Sequence, residues 1–365
     1  MKPVLVVNSG SSSLKYQVID VESQASLLAG VIERVSDHTL AFEQMVQELE
    51  ESGIKPEVVG HRVVHGGARF SAPTLINQEV IEEIEALTPL APLHNPGNLA
   101  GIVAAIRTFP SLPQVAVFDT AFHQSMPAQA YTYAINAKLS ADYNIRRYGF
   151  HGTSHAFVSK AAAEFLGKES FTGIVLHLGN GGSACAVKDG ESVNTSMGLT
   201  PLQGLVMGTR SGDIDPAIVM YLARVANLSL DEIDQSLNQD AGLKGLTGDS
   251  DLRDVIARAD AGDGIAQQAI EVYALRAKHY IGAYLAQLGE ISAIVFTAGV
   301  GENSAPMRAQ ICLGLEHLGI EIDLEKNALR SGFARDISSP GSKVRVLVIP
   351  TNEELEIALQ AAALQ

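Results

Sequence analysis

The side chains in this sequence that could do chemistry together are oxygen donors at the ends of apolar runs and cations near glycine-rich or serine-rich loops. Asn8 follows the apolar run Val4 to Val7 and opens the loop NSGSSS. The hydroxyls of Ser11, Ser12 and Ser13 and the backbone N–H groups around Gly10 could ring an anion, with the ammonium of Lys15 beside them. The amide oxygen of Asn8 can face a hydrated metal ion. This is not the G-x-x-x-x-G-K-[ST] phosphate loop, because the second glycine is missing. An ordinary Gly/Ser hairpin turn explains the same residues.

Asp119 ends a second apolar run, Val115 to Phe118, where open α/β sheets place their chemistry. Its bland alternative is a cap onto Thr120. Phosphoryl transfer needs a phosphate cradle, a divalent cation, a positioned acceptor and cations around the transferred group. The chain supplies Gly/Ser loops, the oxygen donors Asn8, Asp119 and Glu353, and the donors Arg62, His151 and Arg210. Each has a structural reading: Arg62 an ion pair, Arg210 a loop tether, Glu353 an acid at a helix N-terminus. The competing chemistry is a metal-dependent hydrolase, since His61/His65 and His151/His155 show H-x-x-x-H spacing and Asp119 and His123 are also four apart. Against it, neither pair carries the Glu of H-E-x-x-H, and HRVVH reads as a strand.

The elements that must position these residues alternate between strand and helix, which implies an α/β architecture. Val4–Val7 and Tyr16–Ile19 read as a hairpin around the serine loop. A polar helix with Phe42, Met45, Val46 and Leu49 on one face follows, then a strand over Val58–Val64, in which Arg62 and Val64 share a face. A helix is expected over Gln78–Leu87, the prolines of APLHNPGN break the chain, and a helix runs from there to about Phe109. The loop YGFHGTSH starts a helix through Leu166. Gly173–Leu178, the loop GNGGS and Ala184–Lys188 repeat the plan of the N-terminal hairpin, which points to two domains built by duplication around a nucleotide cleft. Gly264–Leu288 reads as a long helix ended by Gly289. Ile294–Phe296 leads into TAGVGENS, where Gly299 and Gly301 leave the backbone open to a nucleotide. Val344–Ile349 is the last strand, and a helix closes the chain.

At 365 residues the chain is longer than one core usually supports. Hydrophobic residues make up 46% and charged residues 18%, a globular composition. The net charge of −15 disfavours nucleic acid or an anionic membrane as partner. Cys185 and Cys312 have no metal-ligand spacing and read as reduced buried thiols. No signal peptide and no membrane-spanning run is visible, so a cytoplasmic location is expected.

NSGSSSLKY, GHRVVHGG, APLHNPGN, VFDTAFHQ, YGFHGTSH, HLGNGGS, MGTRSGDIDP, FTAGVGENS and IPTNEEL, in that order, resemble the signatures of the acetate kinase family over nearly the whole chain. The resemblance implies two duplicated domains of the actin-like ATPase (ribonuclease H-like) type, expected at residues 1–123 with 356–365 and at 124–355, and a homodimer. It implies reversible phosphoryl transfer between ATP and acetate, giving ADP and acetyl phosphate, with propionate or another short-chain acid as the alternative acceptor. Mg²⁺, or Mn²⁺ in its place, would sit on Asn8 and Glu353. Arg62 would hold the carboxylate, and Asp119, His151 and Arg210 would be catalytic. Val64, Leu93, Phe150 and Pro201 would line the methyl pocket. Lys15, Ser11, Ser13, His177, Leu178, Gly179, Asn180, Gly181, Asp251, Leu252, Arg253, Gly299, Val300, Gly301, Glu302 and Asn303 would meet the nucleotide. Two departures stand out: the segment between Val31 and Val58 is short for the family, and GLTGDSDLRD is one residue shorter than usual.

Overall fold

The computed structural model describes residues 1–10, 13–35 and 38–365. The chain divides into unit 1, Met1–Gln124 with Phe150–Phe157 and Asn352–Gln365, and unit 2, Ser125–Gly149 with Val158–Thr351.

In unit 1 the described residues form a six-stranded sheet of β1 (Pro3–Ser9), β2 (Ser13–Asp20), β3 (Ala25–Glu33), β4 (Val58–Val63), β5 (Thr74–Leu75) and β6 (Gln114–Phe118), in the order β3-β2-β1-β4-β6-β5. β1, β4 and β6 are parallel; β2, β3 and β5 run against their neighbours. The central strands are apolar on both faces because both faces are covered. Leu5 and Val7 pack with Phe42, Met45 and Leu49 of the helix His38–Ser52. Val4 and Val6, on the opposite face, pack with Leu355, Ile357 and Ala361 of the last helix, Glu353–Ala362. Burying each such aliphatic side chain contributes about 1.5–3 kcal/mol. Gly60 lets that helix lie close to the sheet, since a Cβ there would crowd Ile357 at 3.0 Å and Ala361 at 3.2 Å.

In unit 2 a second six-stranded sheet consists of β7 (Gly173–Leu178), β8 (Gly182–Lys188), β9 (Glu191–Thr195), β10 (Ala293–Thr297), β11 (Arg335–Asp336) and β12 (Arg345–Val348). Its order is β9-β8-β7-β10-β12-β11, with β7, β10 and β12 parallel. This is the arrangement of unit 1 strand for strand, so the expected α/β class and duplication hold. The helix Gly264–Leu288 starts where Asp263 accepts from the Ile265 and Ala266 N–H groups and ends at Gly289, φ +74°. Its Ala266, Ile270, Tyr273 and Ile281 pack against this sheet's core.

Three local readings change. APLHNPGN does not stay a loop, because the helix Asn95–Thr108 begins at Asn95 with Pro96 in its first turn, where a missing N–H costs nothing. The edge strands β3 and β9, which carry no clean alternation, are added to the expected hairpins. Phe150–Phe157 and residues 352–355 lie in unit 1, not in the second domain as expected. The reason is packing: a Cβ on Gly152 would stand 2.2 Å from the Asp119 carbonyl oxygen, and Asn352 caps the helix that covers the first sheet.

Candidate active site

In unit 1 three neighbouring parallel strands deliver polar side chains at their carboxyl ends: Asn8 from β1, Arg62 from β4 and Asp119 just past β6. The Asp119 N–H donates to the Val63 carbonyl, 2.9 Å, which extends the β4/β6 ladder and fixes the carboxylate beside Arg62. Arg62 grips it with both arms, Nε to Oδ1 at 3.2 Å and Nη2 to Oδ2 at 2.6 Å. Its Nη1 reaches Asn8 Oδ1 at 3.4 Å. Thr153 Oγ1 donates to Glu353 Oε2 at 3.1 Å and lies 3.4 Å from Asp119 Oδ1. Asn8, Arg62, Asp119, Thr153 and Glu353 are therefore one linked group.

Arg62 is 23% exposed and Asp119 1%. Burial pushes the Asp119 carboxyl upward; the Arg62 guanidinium and the Thr153 hydroxyl pull it back, and the Glu353 charge adds to the rise. Burial works against the charge on Arg62, yet the Asp119 and Glu353 carboxylates hold it above the ordinary arginine range. Removing either member of such a pair strands the other charge.

The donor set suits Mg²⁺. That ion binds through one or two carboxylates, keeps several waters and takes the rest of its shell from phosphates. Asp119, Glu353, Asn8 and Thr153 offer two carboxylates, an amide and a hydroxyl in a connected set. Among the described residues no group of three or more His, Cys, Asp or Glu could hold a metal, so the H-x-x-x-H pairs do not come together as a ligand cluster. His61 is instead buried in β4 with Nε2 2.8 Å from Gln114 Oε1.

Val64 and Phe150 are buried as a pocket wall requires, but Leu93 is 63% exposed in the turn before Asn95, so it is not packed with them within unit 1. Lys15 pairs across the hairpin with Asn8 and is exposed. The hairpin is closed by the Gly10 N–H on the Ser13 carbonyl, 2.8 Å. Ser11 lies outside the described residues. His151 has a left-handed backbone, φ +57°, at the start of the helix Gly152–Phe165.

In unit 2 a cavity of about 810 Å³ opens among Gly179, Asn180, Asp251, Arg253, Gly299 and Asn303, with Leu252 and Val300 also in its wall. These are eight of the expected nucleotide residues. His177, Leu178, Gly181, Gly301 and Glu302 are adjacent in sequence but do not line it. The expected open loop after β10 is a short helix, Ala298–Asn303. Asp251 caps the helix Leu252–Asp260, and its hydrogen bond to Arg253 holds its carboxyl down to about 2. Arg210 donates to the Pro201 carbonyl, 2.9 Å, and burial lowers its guanidinium below the usual range.

Sequence reasoning missed three residues that hold these groups. Thr153, inside YGFHGTSH, ties Asp119 to Glu353. Asp213, inside GTRSGDIDP, closes the base of the Arg210 loop by accepting from the Gly204 N–H and the Tyr280 hydroxyl. Arg308 is 1% exposed and donates to the Gly301 and Glu302 carbonyls, pinning the helix end at the cavity. The first two sit in motifs that had already been singled out; Arg308 carries no signal in the sequence.

Residues 34–359 match the model of the acetokinase family. The chain is 55% identical to the acetate kinase of Leifsonia xyli, over 99% of this chain and 98% of that protein. It is 51% identical to the acetate kinase of Streptomyces avermitilis, over 99% and 97%. Among solved structures, the acetate kinase of Porphyromonas gingivalis is similar with a TM-score of 0.94 at 39% identity, covering 100% of this chain and 99% of that one. A propionate kinase from Francisella tularensis is similar with a TM-score of 0.95 at 43% identity, covering both chains fully.

Proposed function

This chain belongs to the acetokinase family, and on that premise we propose how it moves a phosphoryl group between ATP and acetate. A carboxylate oxygen of acetate attacks the γ-phosphorus in line, the bond to the β,γ-bridging oxygen breaks, and ADP leaves with that electron pair. The product is acetyl phosphate. The observation that carries the reading is the buried, two-armed Arg62–Asp119 pair linked to Asn8, Thr153 and Glu353.

Acetate is already ionised at neutral pH, so the attacking oxygen needs no general base. Asp119 then has no proton to remove in the forward direction. Clamped on Arg62, it orients that guanidinium and would offer an oxygen to the cation. Asn8 and Glu353, with Asp119, would hold Mg²⁺, which when bound neutralises charge on the phosphate oxygens. Arg62 takes the acid carboxylate with its remaining N–H groups. Arg210 and His151 stabilise charge that spreads over the equatorial oxygens, an interaction strongest in the transition state. Arg210 suits this role because its position is set by a backbone carbonyl, which leaves its charge unneutralised by any ion pair among the described residues. The cavity of unit 2 takes the nucleotide, with Gly299 presenting open space at the start of a short helix.

Ile218, Met220, Tyr221, Val225 and Leu230 are exposed apolar side chains within one short stretch of unit 2, which supports a homodimer. No helix of the described residues is long and apolar enough to cross a membrane, and a cytoplasmic enzyme accords with that.

The test is acyl phosphate formation, trapped as the hydroxamate, with ATP, Mg²⁺ and a panel of acids from formate to butyrate. Acetate-dependent product is expected. ADP release indifferent to added acid would instead indicate an ATPase of another kind.

A further inference from the structure

His151 has a left-handed backbone, φ +57°, which residues with a side chain adopt uncommonly. Such positions persist where the surroundings over-determine them, and they gather at functional sites. Here the constraint comes from both sides of the residue. Before it, the Phe150 carbonyl accepts from His123 Nε2 at 3.0 Å. After it, the Gly152 N–H donates to the Asp119 carbonyl at 2.8 Å, and a glycine is needed there because a Cβ would strike that same carbonyl. The His151 carbonyl is taken by the His155 N–H at 2.9 Å, which starts the helix.

We propose that His123 is a positioning residue for His151: its imidazole holds the Phe150 carbonyl and thereby the left-handed backbone that aims the His151 side chain. His123 is fully buried, in the turn Ala121–Ser125 that follows Asp119, and its ring meets Phe122 and His155 edge-on. A carbonyl only accepts, so Nε2 must carry the proton, and the tautomer follows from the partner. One short segment, residues 119–123, thus fixes both ends of the tripeptide Phe150–Gly152: Asp119 through its backbone and His123 through its ring. The chain reaches from Asp119 to His151 through two anchors rather than through a flexible loop, so the aim of His151 is set by the same strand end that delivers the carboxylate.

The inference rests on His151 acting in phosphoryl transfer, and the experiment separates the two claims. His123→Phe keeps a ring in place and removes only the donor. His123→Gln returns an N–H at about the position of Nε2. In steady-state assays His123→Phe is expected to lower kcat by about tenfold or more with KM for ATP within about twofold, and His123→Gln to recover most of the loss. In a His151→Ala background the same His123→Phe change should alter kcat by less than about twofold, because the residue being aimed is gone. If His151→Ala alone leaves kcat intact, the role of His151 fails. If His151→Ala is crippling but the His123 effect multiplies with it undiminished, or Gln is as poor as Phe, the positioning role is overturned. Independently of any variant, ¹⁵N-histidine NMR of the wild-type protein should show His123 as the Nε2–H tautomer; the Nδ1–H tautomer would contradict the proposal.

Discussion

The two sheets share one strand order and differ in what they place at the ends of their three parallel strands. In unit 1, β1, β4 and β6 finish on Asn8, Arg62 and Asp119. The matching strands of unit 2, β7, β10 and β12, run into Gly179, Ala298–Gly299 and Ile349–Pro350. One unit ends its strands in an amide and two charges, the other in small or apolar residues, the first two beside a cavity. Charges that are buried must be paired and hydrogen-bonded, and unit 1 does this locally, through Arg62 on Asp119 and Thr153 on Glu353. The strand ends of unit 2 carry no charged side chain to pair, and its Arg253–Asp251 ion pair sits largely in solvent, where it is worth little. Duplication has preserved the positions of the strand ends while the residues on them differ, and the proposed function gives the first set to acid and metal and the second to nucleotide.

The largest effect should separate one carboxylate of each unit. Asp119→Asn keeps shape but removes the charge facing Arg62, and kcat should fall by about 10²–10³-fold or more. Asp251→Asn, at an exposed cap, should change kcat by less than about threefold, with any effect confined to the KM for ATP. Equal losses would erase the contrast. Next, Arg210→Ala should lower kcat by about 10²-fold while the KM for ATP moves little, because its contact strengthens as charge develops. A collapse of ATP affinity with kcat preserved would make Arg210 a ground-state nucleotide ligand.

A stability experiment probes the dry interior of unit 1. Burial pushes His61 down to about 4 from 6.5, with the Gln114 hydrogen bond opposing. The folded state then keeps His61 neutral while the unfolded chain takes up a proton, so stability is full above pH 6.5 and falls as the pH drops toward about 4. The loss is about 3 kcal/mol across that window. Denaturant midpoints measured against pH should show it, and His61→Gln should flatten the curve over the same range. The smallest effect concerns acid size. Val64 is buried just past β4, two residues beyond Arg62. One methylene is worth about 1–3 kcal/mol in such a pocket, so acetate should exceed propionate by roughly tenfold to a hundredfold in kcat/KM. Val64→Ala should narrow that ratio by improving propionate; an unchanged ratio would take Val64 out of the pocket wall, and a wild-type preference for propionate would reassign the acceptor.

Much of this was legible in the chain because strand ends carry their own signal. Apolar runs stopping on Asn8 and Asp119, and glycines following β7 and β10, mark the carboxyl edge of each sheet. That unit 2 repeats the plan of unit 1 could be suspected from the repeated hairpin. Other features were not legible because they depend on distant partners. Thr153 matters only once the Gly152 turn brings it to Asp119 and Glu353, which are 34 and 200 residues away along the chain. Arg308 looks like a surface helix residue until Gly301, Glu302 and Asn327 surround it. The prolines of APLHNPGN misled for a local reason, since proline breaks a helix interior but fits its first turn.

The division of labour is tested most directly by a matrix of initial rates in acetate and ATP for Arg62→Ala beside the wild type. Losing a charge-assisted partner should raise the KM for acetate by about tenfold or more and lower kcat, while the KM for ATP stays within about twofold. Acetate kinetics unchanged in the folded variant, or a KM for ATP that rises as far as that for acetate, would contradict it.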